Sequence, residues 1–515
     1  MKNLKKIQLL FLALLALNFT VFTSCEDEEE PVYAKPTISL QGEDITMLKP
    51  GATVEFTFNI GAEGGLSSII VNRDGGFLEE ITLDDPDATS FTYTGQTVPD
   101  DAMEGQEIVY EFIGENTQEL QSDPVSANIS VAVYDEIDLN GTMVYDVTST
   151  IPADGVIPSG TTVKFAANRS YHVGLPADGL TELIFDEGSD WIIEEGVTVY
   201  MQSEIDLEVE VFGTINAEGT ANNPIVMTSE KVLLAEEPDV ADWAQFQIEG
   251  QGNGTNSGVF RYVRIEYAGD RAFLLDDVGN GTQVSHVQVW KCTDEGMFIA
   301  DGDVNLSHMV VTDSEDAQYR LENEYTGNMQ YILAVVSLQD DGDEAMYLRG
   351  SSAANISNVT VVGPGLIDGL GEPDGLRFWS SAGNKVYNSI VAELPSWGLR
   401  AEGDVDDGRP TPTDINGPVV FAHSYVFNTE VQSSSDNQGR DDGSIFLTEA
   451  SFNNSTDPVA GIGPIDFVPD AAPASSFDPS TIDPFFESVN WAGAIENAAN
   501  DWTIGWVKNP DGTIR

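Results

Sequence analysis

The chain has 515 residues, 86 of them acidic and 22 basic, giving a formal charge of -64. Its length exceeds the roughly 100–200 residues usual for one domain, and its 41% apolar content can fill a core, so two or more domains are expected. So acidic a surface repels phosphate backbones and anionic head groups, which excludes nucleic acid as a partner, and it favours salt and divalent cations as neighbours.

Residues 1–24 read as a secretory signal: Lys2, Lys5 and Lys6 form a basic start, Ile7 to Phe22 an apolar stretch, and Thr23-Ser24-Cys25 a small-residue exit. The stretch is short and acidic sequence follows at once, which separates it from a membrane-spanning helix. A cysteine placed directly after small residues resembles the bacterial lipobox, here with Phe22 where leucine is commonest. That resemblance implies acylation of Cys25 and a lipid anchor in the outer membrane. Glu26-Asp27-Glu28-Glu29-Glu30 is similar to the acidic export tag of surface lipoproteins in Bacteroidetes-type bacteria, which implies exposure at the cell surface. If Cys25 carries lipid, Cys292 is left alone; it cannot form an internal disulfide and reads as a small hydrophobe within the fold.

Residues 25–35 read as an acidic tether. From 36 to 134, period-2 runs such as Thr53-Val54-Glu55-Phe56-Thr57-Phe58 and Glu107-Ile108-Val109-Tyr110-Glu111-Phe112 alternate with Gly, Pro and Asp clusters. An antiparallel β-sandwich is expected there, in size and order resembling immunoglobulin-like spacer domains.

Residues 137–430 carry a repeat. Strand-like runs begin at Tyr262, His286, His308, Tyr331, Asn358 and Asn388, which lie 24, 22, 23, 27 and 30 residues apart. Each is followed by a second short strand, as in Met297-Phe298-Ile299 or Gln318-Tyr319-Arg320-Leu321. A period in the twenties with β composition indicates a solenoid, whose units bury their apolar faces only by stacking. The whole chain is therefore expected to be all-β, with the sandwich followed by a right-handed parallel β-helix. Gly213-Thr214, Ala217, Gly219-Thr220, Pro224-Ile225 and Thr228-Ser229 resemble the signature of parallel β-helix lipoproteins of Bacteroidetes-type bacteria, and the resemblance implies that fold and a surface location. Residues 431–515, rich in Ser, Asn, Asp, Gly and Pro, read as a loop-rich wrap and cap, with Phe485, Phe486, Trp491, Trp502 and Trp506 packing on the helix.

No nucleophilic triad, phosphate loop, dinucleotide fingerprint or His-Glu metal motif is present. Asp301, Asp303 and Asn305 offer oxygen ligands at alternate positions, and Asp341 and Asp343 lie in an acidic turn; both are candidate sites for a hard cation, Ca2+ first. Aligning the second strands places Arg320, Arg349, Arg377 and Arg400 at one position on consecutive coils. Strands about 4.8 Å apart would bring like charges close enough to repel by roughly 1 kcal/mol in water, so an anion must compensate. Asp316, Glu322, Glu344, Asp374 and Glu402 are the internal candidates. The functional alternative is that the arginines, with Tyr319, Tyr347, Trp379 and Trp397, line a groove for an acidic polysaccharide, since guanidinium forks suit carboxylates and aromatic faces suit sugar rings. The expected role is a non-enzymatic glycan-binding or accessory component of an outer-membrane assembly, working with an outer-membrane protein. A lyase or hydrolase acting on acidic polysaccharide, and a structural or adhesive surface protein, are the alternatives.

Overall fold

The computed structural model describes residues 32–337, 343–367, 372–402, 408, 410–429 and 442–515, so Cys25, the signal segment and Asp341 lie outside the described residues. The chain forms two compact units, one ending at Val131 and the other made of Met103–Gly105 and Ala132–Arg515. None of the described helices is long and apolar enough to cross a membrane.

In the first unit, Thr37–Gln41, Thr53–Gly61 and Ser90–Thr97 form one sheet, and Ile45–Leu48, Leu66–Arg73, Gly76–Thr82, Glu107–Asn116 and Val125–Val131 form another. Strict alternation makes this possible. Val54, Phe56 and Phe58 point inward from one sheet and Ile108, Tyr110 and Phe112 from the other, with the Phe58 and Phe112 rings 4.4 Å apart. Their intervening polar residues face water, so each strand supplies one apolar face to a common core.

The second unit is a parallel β-helix with three faces per coil. Face 1 runs through ten described strands from Val156–Ile157 to Leu399–Glu402, all parallel. Faces 2 and 3 begin as separate strands, such as Asp190–Ile193 and Thr198–Met201; from Gly258–Glu266 to Asn355–Val362 the two halves join into one bent strand, and they separate again at Lys385–Tyr387 and Ile390–Ala392. The interior holds stacked side chains: Phe185 lies on Trp191 at 4.4 Å, and Val263, Val287, Met309, Ile332 and Val359 form a ladder with no exposed surface. Cys292 belongs to this interior, and burial pushes its thiol up to about 12, so it is an inert hydrophobe there.

A two-strand coil is the expectation from the repeat; three faces are found, and the difference lies in the residues that open each run. Tyr262, His286, His308, Tyr331, Asn358, Asn388 and His423 all have left-handed backbone, with φ between 50 and 61°. They are corner residues that turn one extended strand from face 2 to face 3. Left-handed backbone disfavours most side chains but admits Asn and His most readily. Stacking helps offset the cost: ring centroids are 4.2 Å apart from Tyr262 to His286, 4.2 Å from His286 to His308, and 4.7 Å from His308 to Tyr331.

The C-terminal segment runs back along this column as a strap. Asn388 donates its amide to the Phe477 carbonyl and Asn358 to that of Trp491, while Tyr331 donates to Glu487 at 2.8 Å. Trp502 meets His308 edge-on at 5.0 Å, and the Trp506 carbonyl accepts from Arg264. Val310, Leu333, Val335 and Val362, the outward apolar residues of face 3, are thereby buried beneath Phe467, Ile495, Trp506 and Val507. The aromatic end of the chain is thus packed along the flank of the helix.

Candidate functional site

Face 1 keeps polar side chains at its outer surface. Along each strand the inward positions are apolar (Met297 and Ile299, Tyr319 and Leu321, Met346 and Leu348, Leu376 and Phe378), so the residue between them must point out. Pairing across coils aligns Leu274, Phe298, Arg320, Tyr347, Arg377 and Arg400 in one outward column.

Two sequence expectations change. Arg349 is not in the column; Tyr347 is, because Met346 and Leu348 are the inward pair of that strand and Arg349 lies two residues farther along. Reading Tyr347 as an inward residue shifts the strand by two positions. Tyr319 does not face a groove either: it is fully buried, and its hydroxyl donates to the Leu333 carbonyl at 3.0 Å. Direct guanidinium neighbours are therefore reduced to Arg377 and Arg400, with Tyr347 separating Arg320 from Arg377.

Each arginine meets carboxylates. Arg320 pairs with Glu295 and, at 2.6 Å, with Glu322, which also takes Arg349 at 3.3 Å. Arg377 pairs with Glu344 and Glu402, and Arg400 with Glu402 and, at 2.9 Å, with Asp374. Glu295, Glu344 and Asp374 are nearly fully buried and sit one coil before the arginine they hold, so every such pair staples two coils together. Of the internal partners expected from sequence, Asp316 is replaced by Glu295. The rings alternate with the charges: the Tyr347 ring has Arg320, Arg349 and Arg377 at 5.8, 5.3 and 5.2 Å, Trp379 has Arg377 at 4.5 Å, and Trp397 has Arg400 at 4.3 Å. Such contacts add about 0.5–1 kcal/mol each at part-exposed positions.

Beside the column runs a row of carboxyl groups. One oxygen each from Asp294, Glu295 and Asp316 lies within 4.8 Å of the others, and the same holds for Asp316, Asp343 and Glu344, so two triads share Asp316. Two arginines engage this row, at Glu295 and Glu344, and negative charge is left over. The residue shows in proton affinity. Burial, then Glu295 and Asp316, push Asp294 up to about 7; burial pushes Glu344 up to about 7 in spite of Arg377. Asp316 is likewise raised, first by burial. An all-oxygen donor set with unneutralised charge fits a hard divalent cation, which would take the place of the protons.

The other expected cation site does not form. Asp303 accepts from the Gly254 and Asn280 backbone amides and the Asn280 side chain, Asp301 from Asn323 and the Glu324 amide, and Asn305 from the amide and side chain of Asn328. Their oxygens tie successive turns together instead of converging. Asp343 does join the carboxyl row. Asp294 and Glu295 are the residues sequence reasoning misses, although Asp294-Glu295-Gly296 stands out as an acidic turn before a strand; Asp316, expected beside the arginines, joins the carboxyl row instead.

Residues 235–463 match a family model described as a pectate-lyase like beta helix domain. The described strands of that segment belong to the parallel β-helix. It contains the whole arginine column and carboxyl row of face 1. No curated protein matches the chain. A solved structure of Clostridium thermocellum CbhA fibronectin(III)-like modules is 21% identical over 20% of this chain, with a TM-score of 0.16. The match spans 50% of that structure's chain.

Proposed function

We propose that the protein is a lipid-anchored surface protein whose β-helix binds an acidic polysaccharide along face 1, through a hard cation held by the carboxyl row. The observation that carries this reading is the pair of carboxylate triads sharing Asp316, placed on a face with part-exposed Tyr347, Trp379 and Trp397. The family name of the matched segment, which refers to an enzyme of pectate, supports a uronate-bearing chain as the ligand. Asp294, Glu295, Asp316, Asp343 and Glu344 would hold the cation, Ca2+ by its preference for several carboxylate oxygens. When bound, it supplies positive charge to carboxylates of the sugar. Arg320 and Arg377 keep the row in place, through Glu295 and Glu344, and the aromatic edges border the glycan.

Binding is favoured over cleavage. Proton abstraction from a uronate needs a base, and Arg377, whose charge is held by Glu344 and Glu402 against the cost of burial, has its proton affinity raised. Such an arginine keeps its proton at neutral pH.

Retention of the full chain on immobilised polygalacturonate tests the reading. Calcium should promote retention, EDTA should abolish it, and Asp316→Asn should weaken it at least about tenfold, equivalent to 1.4 kcal/mol. Retention unchanged by both EDTA and Asp316→Asn would refute it. The anchor has its own test: Cys25→Ser should move the protein from the membrane fraction to the soluble one, and continued lipid labelling of that variant would contradict acylation at Cys25.

A further inference from the structure

A different region of the β-helix carries a second site. Where the strap crosses the Val420–Ala422 and Tyr425–Phe427 strands there is an open cleft of about 390 Å³, lined among others by His423, Tyr425, Asn453, Ser455 and Ser476. A second cleft of about 390 Å³ shares Ser475 and Ser476 with it and continues toward Asp478, Ser488 and Asn490. In a chain with 86 acidic residues, the described residues that line the first cleft include no carboxylate, lysine or arginine. It is a neutral, polar hollow on an acidic protein.

Its hydrogen-bonding groups converge. His423 Nδ1 is 3.1 Å from Ser476 Oγ and 3.2 Å from Asn453 Nδ2, and Asn453 Nδ2 is 3.2 Å from Ser476 Oγ. The Asn453 amide nitrogen can only donate, so Nδ1 of His423 is the accepting nitrogen of a neutral ring. Burial lowers the proton affinity of His423, in keeping with that form. The ring is held from below: it stacks on Phe477 at 5.2 Å, and Phe477 stacks on Tyr387 at 4.4 Å. Left-handed backbone at both His423 (φ 56°) and Asn453 (φ 54°) turns these side chains into the cleft's rim. Asn453 and Ser476 are exposed, so their mutual bonds are available for exchange with a ligand.

We infer that this cleft binds an uncharged sugar unit. Adjacent hydroxyls of a sugar each donate and accept, and the His423, Asn453 and Ser476 triangle offers an acceptor, a donor and a group that does both. The described lining offers no cationic side chain to a phosphate or carboxylate, and it is too polar for a lipid chain. The volume falls at the lower end of small-ligand pockets, about 300–1,000 Å³, and the adjoining cleft lets a longer oligosaccharide continue past Ser475. This site does not depend on the cation row of face 1.

Isothermal titration of the full chain with neutral tetrasaccharides of xylose, mannose, glucose, galactose and arabinose tests the inference. At least one is expected to bind at millimolar concentration without calcium, and both Asn453→Ala and Ser476→Ala should weaken it about tenfold at an unchanged melting temperature, with calcium-dependent retention on polygalacturonate intact. If one variant lowers the melting temperature, the other, at an independent exposed position, decides. No binding by any of the five, affinity unaffected in both variants, or neutral-sugar binding lost only in Asp316→Asn would overturn it.

Discussion

Glu266→Ala is expected to destabilise the β-helix by about 3–5 kcal/mol, the usual cost of removing one partner from a buried ion pair, and to release the C-terminal end of the strap. Glu266 ends the Gly258–Glu266 strand and is 3% exposed. It pairs with Arg264, accepts from Lys508 Nζ at 3.1 Å and from Thr228 Oγ1 at 3.0 Å. Burial by itself would raise its proton affinity, yet Arg264 and Lys508 outweigh it and hold the carboxyl below its ordinary range. Without the carboxylate, Arg264 and Lys508 would face each other with no counter-charge in a dry site. Lys508 also lies 3.8 Å from the Trp290 ring, whose indole nitrogen donates to the Asn509 carbonyl, so one charge centre holds several contacts of the chain end. Urea denaturation and the rate of proteolysis after Lys508 measure the effect. A loss below about 1 kcal/mol with no faster cleavage would mean that the strap is held by its apolar contacts alone.

Acidification should act on the corner column. His286 and His308 are stacked and largely buried under Trp502 and Trp506, and the Nδ1 atoms of both lack a hydrogen-bond partner among the described residues. Burial lowers His286 to about 4 and His308 to about 3, from an ordinary 6.5. From about one pH unit above 6.5 both are neutral whether folded or unfolded, and they contribute no pH dependence. Below that point the unfolded chain takes up protons that the folded chain refuses, so stability falls as pH drops toward 4, by up to about 1.4 kcal/mol per pH unit for each fully differing group. Asp294 and Glu344 oppose this trend. Their folded values near 7 lie above the unfolded ones, so the folded chain binds more protons and gains stability from pH 7 down to the ordinary carboxylate range. The histidine contribution is isolated by comparison with a His286→Phe, His308→Phe variant, which keeps rings in the stack. The difference in unfolding free energy should be flat from about one unit above pH 6.5 and favour the variant increasingly as the pH falls through 6.5 toward 4. A pH-independent difference would show that the imidazoles are not held neutral.

The fold was legible because a β-helix repeats its constraints. Each coil needs an apolar pair such as Met297 and Ile299 at the same place, and that period survives variation in the turns. The two-unit layout was visible for the same reason, since strict alternation in Thr53–Gly61 differs from the short runs farther on. What failed was local register. Tyr347 and Leu348 are both apolar in composition, and only stacking on Tyr319 and Leu321 decides which faces in. One wrong choice put Arg349 in the column and lost the aromatic member that spaces the charges. The corner residues read as strand openings because left-handed backbone leaves little trace in a sequence when His and Tyr occupy it alongside Asn. The carboxyl row was only half legible: Asp343 stands out in its turn, whereas its approach to Asp316, and that of Asp316 to Asp294, spans separate coils.

Calorimetric titration of the full chain with CaCl2 at pH 7, in two buffers of different ionisation enthalpy, measures the central claim most directly. Binding at the row should displace protons from Asp294 and Glu344, both near 7 before the metal arrives. The apparent enthalpies should therefore differ between buffers, in the direction of proton release, and Asp316→Asn should remove both the binding heat and the buffer difference. Calcium binding of equal strength and equal proton release in Asp316→Asn, or no binding by the native chain at millimolar calcium, would contradict a cation site on face 1.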